Sequence, residues 1–216
     1  MAIAFFDLDK TLVRCNTATL WTRREVRLGH LSRWQAVRAA FWIARYHLGA
    51  AALEQAIEKA VSTLAGVRED GIRARSVALW REEVAALVRP GARAALERHR
   101  ARGDRLVMLT TSSNYLAEIA AGDLGLDDFL CNRFEVVDGV FTGAPLRPLC
   151  FGPGKLSHAA AHAQRHGVAL GDCAFYTDSF SDLPVLEAVG EPVAVHPDPR
   201  LARLARRRGW RMELWD

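Results

Sequence analysis

Short apolar runs alternate with longer amphipathic stretches along most of this chain. Five runs, at residues 3–6, 105–109, 174–176, 192–195 and 211–214, read as buried strands. Helical spacing lies between most of them, and strand and helix in alternation imply a mainly parallel sheet covered on both faces. The fold class expected is therefore α/β, with a doubly wound, Rossmann-like core. Two helices have legible ends. Residues 92–102 follow Pro90-Gly91 and stop at Gly103, and residues 201–208 are flanked by Pro199 and Gly209 with basic residues in the last turn.

Residues 17–88 break the alternation. They hold no convincing strand and about four amphipathic helices, punctuated by Gly29, Gly49 and Gly66. In one helix Trp34, Val37, Phe41, Ala44 and Leu48 recur at three- and four-residue spacing. The block reads as an all-helical insert between the first two strands, spanning about 16–88, with 1–15 and 89–216 forming the core. Further on, Asp138-Gly139 between β-rich arms marks a hairpin over 134–143. There is no internal repeat.

Composition adds limits. In 216 residues, 50% are hydrophobic and 25% charged, as in an ordinary soluble globular protein. The N-terminus lacks the basic start and long apolar run of a signal peptide, and the most lipid-like stretch, 36–53, contains Arg38, Arg45 and His47. A cytoplasmic protein without a membrane span is expected. Cys15, Cys131, Cys150 and Cys173 have no paired spacing and read as reduced thiols. The net charge of +4 comes almost wholly from arginine, a side chain suited to phosphate and carboxylate.

The first strand ends in Phe6-Asp7-Leu8-Asp9-Lys10-Thr11, and ligands of open parallel sheets bind beyond the carboxyl ends of strands. Two carboxylates this close repel unless a cation or proton lies between them, and magnesium favours a few protein oxygens plus phosphate and water. Alternatively, Asp9 only caps a turn. The third core strand ends in Tyr176-Thr177-Asp178-Ser179-Phe180-Ser181-Asp182, where Asp182 also suits a helix cap. After the second strand, Thr110-Thr111-Ser112-Ser113 reads as a hydroxyl-rich turn whose N–H groups suit an oxyanion, or as a helix cap. Lys155 follows Gly152-Pro153-Gly154 at the start of a helical pattern and is one of three lysines, with Lys10 and Lys59.

D-x-D-x-T, a strand ending in Thr, a Lys and D-x-x-x-D follow one another in this order, and the ordered set resembles the haloacid dehalogenase-like superfamily of phosphatases. The likeness is greatest to the subgroup with a helical cap between the first two motifs, which includes phosphoserine phosphatase. The stretches 178–184 and 192–198 are especially similar to its bacterial members. The resemblance implies a magnesium-dependent phosphomonoester hydrolase acting on a small phosphorylated metabolite. By it, Asp7 is the nucleophile that forms an aspartyl-phosphate, and Asp9 is the general acid and base. Thr110 and Lys155 bind the phosphoryl group, with Leu8, Thr111 and Ser112 around it. Magnesium falls to Asp7, Asp9 (through its carbonyl), Asp178 and Asp182. Residues 16–88 become a cap that selects substrate.

Two departures weigh against phosphoserine. Val13-Arg14-Cys15-Asn16-Thr17 lacks the glutamate that usually follows the first motif, and Thr110-Thr111-Ser112 stands where Ser-Gly-Gly is usual. Arg14 would suit an acidic leaving group instead. Rival readings are a phosphomutase on the same core, or a non-catalytic Arg-rich protein binding anions or nucleic acid. Nucleic acid is not the expected partner: the arginines at 200, 203, 206, 207, 208 and 211 read as a solvated helix face and neighbouring strand. His158, His162 and His166 form a stripe at metal-ligand spacing, with no Cys or acid beside it. Trp21, Trp34, Trp42 and Trp80 read as core residues, while Trp42, Ile43 and Tyr46 widen an apolar surface suited to a dimer contact or a lipid chain. Monomer and homodimer both remain open.

Overall fold

The computed structural model describes residues 2–32, 34 and 50–216. The chain opens with β1 (Ile3–Phe6) and, among the described residues, passes into three helices, α1 (Thr17–Arg27), α2 (Ala50–Ser62) and α3 (Glu69–Leu79). After a π turn at Trp80–Val84 come α4 (Pro90–Ala101), β2 (Arg105–Ser113), α5 (Asn114–Leu124) and β3 (Asp128–Asn132). The hairpin strands β4 (Phe134–Val137) and β5 (Val140–Pro145) follow, then α6 (Pro153–Arg165) and β6 (Ala174–Thr177). The last elements are α7 (Leu183–Leu186), β7 (Glu191–Val195), α8 (Pro199–Arg208) and β8 (Arg211–Glu213).

Six strands form one parallel sheet in the order β3-β2-β1-β6-β7-β8. The α/β fold class read from sequence is observed. Side chains alternate across the pleat, so β1 sends Ala4 and Phe6 to one core and Ile3 and Phe5 to the other. The first core is closed by Ala92, Ala95 and Leu96 of α4 and by Leu116 and Ala120 of α5. The second is closed by Ala159 and Ala163 of α6 and by Leu201 and Ala205 of α8. Because β1 has β2 on one side and β6 on the other, the strand order reverses there, and the crevice above the carboxyl ends of β1 and β6 is the expected ligand position.

The helix readings at 92–102 and 201–208 are met by α4 and α8, each two residues earlier at its start because Pro90 and Pro199 are the first helical residues. Gly209 ends α8 in the left-handed conformation at φ +67°. Gly91 has another reason to be glycine: a Cβ there would lie 2.5 Å from the Trp215 ring, which packs into the first core. In the 134–143 hairpin, Asp138 and Gly139 both have positive φ, as a tight two-residue turn demands.

The sheet has a sixth strand that the apolar pattern does not mark. β3 starts on Asp128 and ends on Asn132, is bounded by Asp127 and Arg133, and buries only its last two residues. β2 also runs through Thr110–Ser113, expected as a turn, because Ser113 still pairs with Asn132 beyond an irregularity after Leu109. Within 17–88 the described residues form helices and turns apart from isolated bridges at Arg68 and Val88. The insert meets the hairpin where the Gly66 N–H donates to the Phe141 carbonyl and the Phe141 N–H donates to the Val67 carbonyl, at 2.9 Å each. The helix expected through Val37, Phe41, Ala44 and Leu48 lies outside the described residues, as does the surface of Trp42, Ile43 and Tyr46. Trp80 is buried as expected, whereas Trp34 is 71% exposed.

Candidate active site

Asp7 follows β1 directly, its N–H donating to the Tyr176 carbonyl of β6 at 2.9 Å, so it begins the crevice between the two central strands. The chain then folds back tightly: Thr11 and Val13 N–H groups bond the Leu8 carbonyl, and Lys10 takes φ +58°. Leu8 itself is buried in the core, so any phosphate contact at this position falls to its main chain.

On the neighbouring strand end, Asp178 donates its N–H to Thr11 Oγ1 at 3.0 Å, which ties the two acidic loops together. Asp182 is buried, and its Oδ2 accepts from Thr177 Oγ1 at 2.7 Å and from Lys155 Nζ at 2.8 Å. Lys155 also donates to Asp7 Oδ1 at 2.8 Å. Its ammonium thus bridges Asp7 and Asp182 with 1% of the residue exposed. The preceding turn must pass very close to itself for this, since a Cβ on Gly154 would lie 1.9 Å from the Leu149 carbonyl oxygen.

Asp9 turns towards the insert. Its Oδ1 accepts the Thr17 N–H at 2.6 Å and its Oδ2 accepts from Ser112 Oγ at 3.2 Å. Ser112 Oγ also lies 3.1 Å from Thr17 Oγ1. Thr110, fully buried on β2, accepts the Ser112 N–H at 3.1 Å. Asp7, Asp9, Thr110, Ser112, Lys155, Asp178 and Asp182 therefore gather at the carboxyl ends of β1, β2 and β6, as the sequence order suggested.

The site is short of positive charge. Burial raises the Asp7 carboxyl above the ordinary range, Lys155 opposes this, and Asp182 adds to it. Burial also pushes Asp178 up to about 8, reinforced by Asp7 and Asp182. Asp9 is raised by burial against the bonds it accepts from Thr17 and Ser112. Lys155 behaves in the opposite way: burial works against its charge, but Asp182 and Asp7 outweigh that and hold its pKa above the ordinary lysine value.

Some supporting residues carried no sequence signal. Asn132 is buried, donates from Nδ2 to the Thr111 carbonyl at 2.6 Å and accepts the Cys150 N–H at 2.8 Å. It joins the β2 end to the loop that leads to Lys155, and only recognition of β3 would have drawn attention to it. Thr17 opens α1, and its main-chain bond to Asp9 has no side-chain signature. Arg14 lies 3.5 Å from Asp216. The histidine stripe converges only in part: the His162 and His166 rings lie 4.6 Å apart and His162 Nδ1 is 3.5 Å from Asp128 Oδ2, whereas His158 Nε2 meets the Pro148 carbonyl. Among the described residues, no three His, Cys, Asp or Glu side chains group as a metal-binding set. In the arginine-rich segment, Arg208 pairs with Glu187, Arg211 with Glu191 and Glu213, and Arg200 lies over the Phe180 ring. The four cysteines form no disulfide, and no described helix is long and apolar enough to cross a membrane.

Known proteins resemble this chain in sequence and in fold. The family model for haloacid dehalogenase-like hydrolases matches residues 4–187. The phosphoserine phosphatase SerB1 of Mycobacterium tuberculosis is 31% identical over 213 residues, 97% of this chain and 69% of its own. A histidinol-phosphatase of Neisseria meningitidis is 24% identical, with 96% of both chains covered. Among solved structures, a protein of unknown function from Bordetella pertussis Tohama I superposes with a TM-score of 0.89 at 29% identity, covering 98% of this chain and 97% of that one. A phosphoserine phosphatase holding a phospho-aspartyl intermediate analogue has the same fold, with a TM-score of 0.73 at 20% identity over 100% of this chain and 93% of that one. With a family match over most of its length and phosphatases among the relatives that match nearly all of it, this chain belongs to the haloacid dehalogenase-like hydrolases and is a phosphatase of that family.

Proposed function

We propose that the protein is a magnesium-dependent phosphomonoester hydrolase that works through an aspartyl-phosphate on Asp7 and takes a small phosphorylated metabolite. The observation that carries this reading is the Lys155 ammonium shared between Asp7 and Asp182 at 2.8 Å each, beneath the sheet's switch point. A buried lysine held against one oxygen of a strand-end aspartate leaves the other oxygen to attack phosphorus, and supplies charge where the phosphoryl group gathers it.

The donor set fits magnesium. Asp7 and Asp178 offer hard carboxylate oxygens on adjacent strand ends, and burial, with neighbouring carboxylates second, raises the pKa of each, a cost that a divalent cation would offset. The Asp9 carbonyl would complete the protein's share, with Asp182 orienting a ligand water; a site of two carboxylates and a carbonyl needs no third acidic ligand. When bound, magnesium would keep Asp7 ionised and draw charge from the phosphoryl oxygens.

In the first half of the reaction Asp7 attacks phosphorus and the ester P–O bond breaks. Asp9 gives its proton to the departing alkoxide, and its raised pKa favours the protonated form needed for this. In the second half the Asp9 carboxylate takes a proton from water, the resulting hydroxide attacks the same phosphorus, and the Asp7–phosphorus bond breaks to release inorganic phosphate. Thr110, with the main chain of Leu8, Thr111 and Ser112, cradles the phosphoryl oxygens. Residues 16–88 form the cap, which shields the intermediate and selects the substrate. The missing acid near Arg14 and the hydroxyl-bearing 110–112 segment favour a metabolite other than phosphoserine.

A panel of phosphorylated metabolites, assayed with magnesium and with chelator, tests the proposal. Magnesium-dependent phosphate release from a few members is expected. Equal release with and without the metal would overturn it, as would transfer of phosphate between positions of one substrate without release.

A further inference from the structure

Asp198 lies outside the four motifs, yet it is bonded to the loop that carries two of the acids. Its Oδ1 accepts the Arg200 and Leu201 N–H groups at 2.8 and 3.0 Å, which caps α8. Capping accounts for that oxygen only. Oδ2 reaches eighteen residues back to accept the Phe180 N–H at 2.6 Å, and the Asp198 N–H donates to the Asp178 carbonyl at 2.8 Å.

The main chain of Asp178 is consequently held at both ends, its N–H by Thr11 Oγ1 and its carbonyl by Asp198. Two residues later, Phe180 is held by Asp198 Oδ2 while its ring lies 4.2 Å beneath the Arg200 guanidinium. β7 delivers Asp198 to this place by an uncommon route, since His196 takes φ +43°, a left-handed conformation that costs energy for a residue with a side chain. That conformation is supported by the His196 N–H bond to the Glu213 carbonyl at 3.0 Å and by His196 Nε2 accepting the Trp215 N–H at 2.7 Å.

We propose that Asp198 is a positioning residue that sets the shape of the 178–182 loop and so aims Asp178 at the metal. It does not touch substrate or metal. It acts by fixing the main chain on both sides of Ser179, so that the Asp178 carboxyl is presented at a constant distance from Asp7. The inference rests on the reading of Asp178 as a magnesium ligand, and residues that orient a ligand in this way typically contribute about 10- to 100-fold in metal affinity.

Helix capping alone makes a different forecast, because Asn and Ser cap about as well as Asp. Asp198→Ser retains one oxygen for the Arg200 and Leu201 N–H groups but is too short to serve Phe180. Asp198→Asn has one acceptor oxygen and a donor NH2, and cannot satisfy both sides. Three measurements on the full-length chain separate the cases: the melting temperature, Mg2+ affinity by titration calorimetry, and exchange of the Phe180 amide proton by NMR. Both variants should melt within a few degrees of wild type, bind Mg2+ at least about tenfold more weakly, and exchange the Phe180 amide faster. Mg2+ affinity within twofold of wild type, with unchanged Phe180 protection, would overturn the inference and leave Asp198 a cap. Loss of Mg2+ binding already in the wild type would instead remove the metal reading on which the inference stands.

Discussion

The Thr17 N–H donates to Asp9 Oδ1 at 2.6 Å, so the carboxyl assigned to proton transfer is held by the first helical residue of the insert. Ser112 holds the other oxygen from the core side. Asp9 thus has one partner on each side of the crossing between core and insert, and its aim depends on both. Ser112→Ala should lower kcat by about tenfold, the value of one hydrogen bond to a charged group, with little change in KM. Asp9→Asn should cost about two to four decades in kcat while Mg2+ binding persists, since its proposed ligand atom is the carbonyl. Steady-state kinetics on an aryl phosphate, paired with calorimetry, check both. An unchanged kcat in Ser112→Ala would mean that Thr17 alone orients the acid.

Asp7→Asn should abolish turnover while the fold survives, because the amide can still accept from Lys155 but cannot attack phosphorus. Rapid acid quench of the wild type with a 32P-labelled substrate should trap label on the peptide containing Asp7. The variant should trap none. Label on any other residue would remove Asp7 from the nucleophile's place.

Much of this site was legible because its acids punctuate strand ends. A short apolar run that stops at Asp7 or at Asp178 states both the strand and its functional end. The opposite holds for β3, whose few buried positions and acidic start resemble a loop, so Asn132 was invisible along with it. Thr110–Ser113 read as a turn because hydroxyls cluster there, whereas pairing to β3 keeps the segment extended. Lys155 owed its place to the order of the motifs, because no local pattern states that its ammonium is buried against Asp7, 148 positions away, and Asp182, 27 away. Asp198 carries a cap signature that conceals its second oxygen's partner, since local pattern is silent about an amide eighteen residues back.

Lys155 also supports stability. With its ammonium buried between two carboxylates, removal leaves them uncompensated, and breaking such a pair costs about 3–5 kcal/mol. Lys155→Met, similar in length, should shift the urea midpoint downwards accordingly and eliminate activity. Added Mg2+ should restore part of the lost stability, because it neutralises Asp7 from the other side. A midpoint within error of wild type would show that the 2.8 Å contacts are not formed in solution.

The buried histidines should weaken the fold as the pH falls through their range, above the window in which Asp104 titrates. His99 is buried between Asp104, whose Oδ2 lies 2.8 Å from Nδ1, and the Tyr176 hydroxyl, 2.9 Å from Nε2, with Phe6 edge-on to its ring. Burial lowers its pKa and Arg102 adds to this, while Asp104 opposes both. His162 is lowered in the same way, by burial first, and so is His196. A histidine with a folded pKa below its unfolded value of about 6.5 takes up its proton first in the unfolded chain. Stability is then fully present above that pH and is lost as the pH falls towards the folded pKa. Asp104 adds a separate, lower window: burial would raise it, but His99 and Arg102 outweigh burial and hold it below the ordinary carboxylate range. Its contribution is retained until the pH falls below about 4. Asp7 and Asp178, raised by burial, take up protons first in the folded chain and oppose the histidine loss as the pH falls from about 8. The histidine contribution is therefore read as a difference between calorimetric melting of wild type and of His99→Phe from pH 8 to 5. Relative to its own value at about pH 7.5, the melting temperature of His99→Phe, which cannot titrate at this position, should stand higher at pH 5 than that of wild type. The same pH dependence in both proteins would contradict neutral burial of the His99 ring.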